Sequence, residues 1–89
     1  MGAAPSPEIT DSDLVRRHVA GDPRAFDALV DRYQTRLLNF ANRSIGDRER
    51  AEALVQDAFI RAFRRLHRFD HDKQFSSWIY AEVIKPLLG

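Results

Sequence analysis

The 89 residues include 14 lysines and arginines against 13 aspartates and glutamates, for a formal charge of +1, and no cysteine. That length allows one small domain with a thin core, and the charge excludes bulk attraction to nucleic acid, so any such affinity must come from a local patch. The missing cysteines exclude a disulfide framework and a thiolate metal site, while 44% hydrophobic and 30% charged residues exclude a wholly disordered chain. No apolar run approaches membrane-spanning length, and Met1 to Pro7 lacks the basic start and apolar centre of a secretory signal. A cytoplasmic protein with no membrane partner is expected.

Residues 1–10 are small, proline-containing and without periodicity, and read as a mobile arm ahead of one helical domain over residues 11–89. Asp11 or Ser12 is placed to cap a short first helix with Leu14, Val15, His18 and Val19 on one face, which Ala20-Gly21 ends. Asp22-Pro23 is a second start signal. From it a long helix carries Phe26, Leu29, Val30, Tyr33, Leu37, Phe40, Ala41 and Ile45 at three- and four-residue steps.

Gly46-Asp47 repeats the stop and start, and the third helix is expected to reach about Arg68 with Ala51, Leu54, Val55, Ala58, Phe59, Ala62, Phe63 and Leu66 as its apolar stripe. The matched stripes predict antiparallel packing of the second and third helices as the core. Asp70 to Gln74 is polar and non-periodic, a loop before Phe75, Trp78, Ile79 and Val83 resume helical spacing. Pro86 is expected to stop that fourth helix, because its ring clashes with the carbonyl four residues back. The predicted architecture is all-α, a compact bundle of three to four helices.

Three constellations carry possible function. Glu52, Gln56 and Asp57 offer acceptors and an amide beside the edges of Leu54 and Val55, which suits docking on a helical, arginine-rich partner. Arg61, Arg64, Arg65 and Arg68 recur at steps of three and four along one flank, a spacing able to meet successive phosphates. Arg61 and Arg65 are also spaced to pair with Asp57. Both faces also suit ordinary solvated helix surface. The third is aromatic: Phe69, Phe75, Trp78 and Tyr80 surround the polar loop, where an exposed ring would stack on unpaired bases. Phe75 and Trp78 share a face with Ile79 and are expected in the core, which leaves Tyr80 as the better contact. His67 and His71 have metal-ligand spacing only if the helix reaches His71, and the loop starting at Phe69-Asp70 argues against that. No catalytic residue, metal or cofactor is expected.

The ordered set Gly21-Asp22, Ala25-Phe26, Gly46-Asp47, Leu54-Val55-Gln56-Asp57 and Phe75 to Tyr80 resembles region 2 of a bacterial RNA polymerase σ factor of the extracytoplasmic-function group. The resemblance covers roughly Asp13 to Tyr80 and includes no counterpart of the family's C-terminal domain. It implies a transcription initiation domain, not an enzyme. By resemblance, Glu52, Leu54, Val55, Gln56 and Asp57 would dock on the clamp coiled coil of the polymerase β′ subunit. Promoter DNA would be opened, and a flipped base of the non-template minus-ten strand captured, by the loop Asp70 to Gln74 with Phe75, Ser76 and Ser77. Asp70, His71, Lys73, Tyr80 and the arginine flank complete the expected DNA-binding set. Ala53 replaces the family's aspartate, and Glu82 stands where an apolar residue is expected. Ala53 and the altered, shortened tail after Tyr80 motivate an alternative, a σ-like interaction module that binds polymerase or an anti-σ factor without promoter activity.

Overall fold

Thr10, one residue ahead of the expected caps, starts the first helix, α1 (Asp11–Val19), in a computed structural model that describes residues 9–88. The Thr10 hydroxyl accepts the Asp13 amide at 3.1 Å, satisfying one of the N–H groups that a helix start leaves unpaired. Asp11 is thereby free to turn onto the second helix, where its carboxylate accepts from Arg32 Nη1 at 2.8 Å and from the Tyr33 hydroxyl. Residues 1–8 of the expected arm lie outside the described residues. Ile9 and Thr10 do not belong to an arm, since the Ile9 carbonyl accepts from Arg32 and Thr10 caps α1.

Gly21, at φ 102°, ends the α1 turn in a conformation that favours glycine. The long helix α2 spans Ala25–Ile45 and starts later than the Asp22-Pro23 signal suggests. Asp22 spends its acceptors early: its carboxylate takes the Arg24 amide at 2.9 Å and its carbonyl the Ala25 amide at 3.3 Å, closing a turn first. Gly46, at φ 76°, closes α2, and Asp47 caps α3 (Arg48–Arg65) by accepting the Glu49 and Arg50 amides at 3.1 and 3.3 Å. A 3₁₀ turn, Leu66–Arg68, tightens the end of α3 before the loop and α4 (Phe75–Leu88).

The core lies mainly between α2 and α3. Leu29, Leu37 and Ala41 of α2 meet Ala51, Val55, Ala58, Phe59 and Ala62 of α3, whose alanines let the two backbones approach closely. Leu14 and Val15 close one end, and Phe75, Ile79 and Val83 of α4 cover another side. Among the described residues there are four α-helices and no strand.

Two expectations about apolar positions are corrected. Phe63 is 54% exposed, not core, because it sits beyond the edge of the stripe that Phe59 and Ala62 occupy. Pro86 does not stop α4, which continues to Leu88. Proline costs most where it strands a carbonyl. Here the carbonyl four residues back belongs to Glu82 and accepts from Arg61 Nη2 at 2.6 Å, so the missing amide is replaced from a neighbouring helix.

Candidate nucleic-acid and partner interfaces

The polar loop hangs between two buried anchors. Phe69 and Phe75 are 6% and 2% exposed, with their rings 6.1 Å apart, and Trp78 packs on both at 5.6 and 5.8 Å. Tyr33 reaches Phe75 from α2 at 5.5 Å, so the loop's base is fixed by three elements. Between the anchors the chain turns on itself: the Asp70 carboxylate accepts the Asp72 amide and the Asp70 carbonyl the Lys73 amide, both at 2.9 Å. Asp70, His71, Asp72, Lys73 and Gln74 are all exposed, with His71 edge-on to Phe69 at 5.4 Å.

This loop and the start of α1 enclose an open hollow of 320 Å³, lined by Thr10, Asp11, Ser12, His71 to Phe75 and Ser76. Asp11 holds the far rim in place through Arg32 and Tyr33. Sequence reasoning found the loop but not this opposite wall, because helix periodicity carries no sign that Thr10 to Ser12 lie against residues sixty positions later. Phe75 is a buried anchor and offers no free face for stacking, contrary to its expected place among the contacts. Trp78, expected in the core, is half-buried, and Tyr80 is half-buried against Phe40 at 5.4 Å. Ser76 is half-buried and Ser77 exposed.

The arginine flank divides. Arg61 and Arg65 turn towards α4, where Arg61 Nε lies 3.3 Å and Arg65 Nη1 3.7 Å from the carboxylate of Glu82. Both are thus drawn to a carboxylate of the chain itself, and neither pairs with Asp57. Glu82 is a buried acid that the apolar pattern did not anticipate, and the nearby basic residues are the signal that makes it tolerable. Arg64 and Arg68 remain exposed and form no ion pair within 4.0 Å among the described residues.

The residues expected to meet a protein partner also separate around α3. Val55 is 3% exposed and belongs to the core, so it supports the face from below and is not itself a contact. Leu54 and Asp57 border a hollow with Ile45, Pro86 and Leu87, on the α4 side. Glu52 and Gln56 face α2 instead, lining a 170 Å³ groove with Gln34, Leu38 and Phe59. Glu52 is within 3.7 Å of Arg48, one turn back. Further along α3, Ile60 and Phe63, 52% and 54% exposed, join Phe26, Phe59 and Arg64 around a 470 Å³ apolar hollow. His18 packs edge-on to Phe63 at 5.1 Å at its margin. Phe63 was missed because an apolar residue at helical spacing reads as core, and Ile60, off that spacing, was given no role.

His67 lies in the 3₁₀ turn and His71 beyond it in the loop, so they do not share a helix face. Among the described residues no group of three or more metal-ligating side chains is gathered, and no helix is long and apolar enough to cross a membrane.

The sequence model of Sigma-70 region 2 matches residues 29–83. The chain belongs to the Sigma-70 region 2 family. It is 43% identical over 74 residues to the RNA polymerase sigma-H factor of Pseudomonas aeruginosa, covering 83% of this chain and 38% of that protein. It is 39% identical over 75 residues to the ECF RNA polymerase sigma-E factor of Escherichia coli K12, covering 84% and 39%. The chain thus spans about two-fifths of the length of the curated relatives it matches. Its fold superposes, with a TM-score of 0.80 and 38% identity, on an engineered region 2 of sigmaE solved by NMR in complex with GTAAAA, covering 90% of this chain and 83% of that one. The match to region 2 takes in α3, the loop and most of α4, while Thr10 to Ser12 and Phe26, which line the two hollows, precede it.

Proposed function

We propose that this chain is a promoter-recognition domain of transcription initiation, which binds core RNA polymerase and holds single-stranded minus-ten DNA. The observation that carries it is the exposed loop strung between buried Phe69 and Phe75 above an open hollow, in a fold that matches a sigmaE region 2 solved with GTAAAA. A hollow of 320 Å³ has room for one unstacked base. His71, Lys73 and Ser76 supply hydrogen-bonding groups in its lining, with Asp70 and Ser77 beside them in the chain, while the exposed Arg64 and Arg68 supply salt-sensitive attraction to the backbone. Tyr80 offers a partly exposed ring.

The polymerase face we assign to the α2 side of α3: Glu52 and Gln56 over their groove, continuing into Ile60 and Phe63, with Leu54 and Asp57 around the helix. An apolar centre with amide and carboxylate neighbours suits a helical partner carrying arginine, as the β′ clamp coiled coil would. Ala53, exposed and without a carboxylate, favours a second reading: a module that binds polymerase or an anti-σ factor without supporting promoter opening.

Binding to core RNA polymerase tests the assignment. Gln56→Ala is expected to weaken binding by about tenfold, roughly 1.4 kcal/mol, with an unchanged melting temperature, and Ala53→Asp to strengthen it. A folded sample that fails to bind, as wild type and as Ala53→Asp, overturns the polymerase assignment. Polymerase binding without binding of single-stranded GTAAAA selects the second reading.

A further inference from the structure

Three cations converge on one buried carboxylate at the seam of α3 and α4. Glu82 is 1% exposed, on the same face of α4 as Ile79 and Val83. Its Oε1 lies 3.3 Å from Arg61 Nε, and its Oε2 lies 3.2 Å from Lys85 Nζ and 3.7 Å from Arg65 Nη1. The cations themselves reach the surface, with Arg61 36%, Arg65 59% and Lys85 63% exposed. A buried acid held in this way seldom stabilises a fold more than an apolar residue of similar volume. Stability is therefore a poor explanation of why an acid stands there. Its distinct effect is electrostatic: it cancels one of three positive charges and directs the donors of the others inward.

We propose that Arg61, Arg65 and Lys85 form a phosphate-binding cluster whose anion position is occupied by the chain's own Glu82, which holds down the affinity of this seam for nucleic-acid phosphate. Drawing a cation outward to a phosphate leaves the buried carboxylate short of a partner, so each contact at the seam is opposed. The phosphate contacts then fall to Arg64, Arg68 and Lys73. The nucleic-acid ligand rests on the function proposed above, but the anion site does not.

Glu82→Gln keeps the shape and an acceptor for Arg61 while removing the charge. Its binding to single-stranded GTAAAA and to a scrambled strand is measured against salt, and its melting temperature against sodium sulfate. The variant is expected to bind both strands about three- to tenfold tighter, with a log–log salt slope steeper by about 0.7, one more phosphate on a single strand. Sulfate should raise its melting temperature more than that of wild type. Lys85→Gln should change wild-type affinity by less than about twofold and remove much of the gain when combined with Glu82→Gln. Unchanged affinity, slope and sulfate response in a folded variant overturn the proposal. Selective sulfate stabilisation with no strand binding by either protein supports the anion site and counts against the nucleic-acid function. If Glu82→Gln does not fold, Glu82→Leu, suited to an apolar position, takes its place and the same readings decide.

Discussion

Tyr33 links the core to the rim of the loop hollow. Its ring packs on Phe75, Arg36 lies over it at 5.8 Å, and its hydroxyl donates to Asp11. Burial first, then the hydrogen bond to Asp11 and that carboxylate's charge, push the phenol from an ordinary 10.0 up to about 12. A phenol whose pKa is higher in the folded state favours folding only while it stays protonated. Its contribution is complete below pH 10 and declines as the pH rises towards 12. Urea unfolding followed from pH 8 upwards is expected to lose stability through that window, and Tyr33→Phe to flatten the loss. Tyr33 was legible in sequence as a stripe residue, because its spacing is local. Its bond to Asp11 was not, because nothing in periodicity pairs a hydroxyl with a carboxylate 22 residues earlier.

Among the elements, α3 is the best specified by its own residues. Asp47 accepts two amides at its start, Glu49 sits in its first turn, and Arg64 and Arg65 sit in its last, all favourable to the helix dipole. Asp47→Ala should therefore cost about 1 kcal/mol, read as a lower urea midpoint with an unchanged slope. The start of α2 was less legible. Asp22 and Pro23 have the right chemistry for a helix start, but the same Asp acceptor can close a turn, and here it does. At α4 the error ran the other way. Pro86 should break a helix judged alone, but the Glu82 carbonyl it strands is satisfied by Arg61, 21 residues away on α3. Local rules assume that a lost backbone bond stays lost.

At the scale of the molecule, α2 and α3 hold the domain and α1 and α4 close it. The contrast between Phe59 and Phe63, 8% and 54% exposed on the same helix, separates core from exposed surface. Phe59→Ala is expected to cost about 3–5 kcal/mol, a large part of the stability of so small a domain, and to show in urea unfolding. Phe63→Ala should change stability by less than about 1 kcal/mol and instead weaken polymerase binding. Equal destabilisation by both would mean that the Ile60 and Phe63 surface belongs to the core and not to a partner.

By itself the sequence determined the all-α class, the long α2 and α3 pair, the Gly46-Asp47 turn, the loop before Phe75 and the likeness to Sigma-70 region 2. These depend on spacing and capping between residues close in the chain, which operate wherever the rest of the molecule lies. Tertiary structure alone decided which positions on the α3 surface are available. It left Phe63 outside, turned Arg61 and Arg65 onto Glu82, and built the second wall of the hollow from the start of α1. Each of those outcomes depends on which helix lies alongside, and burial and charge pairing between distant segments exist only once the helices have packed.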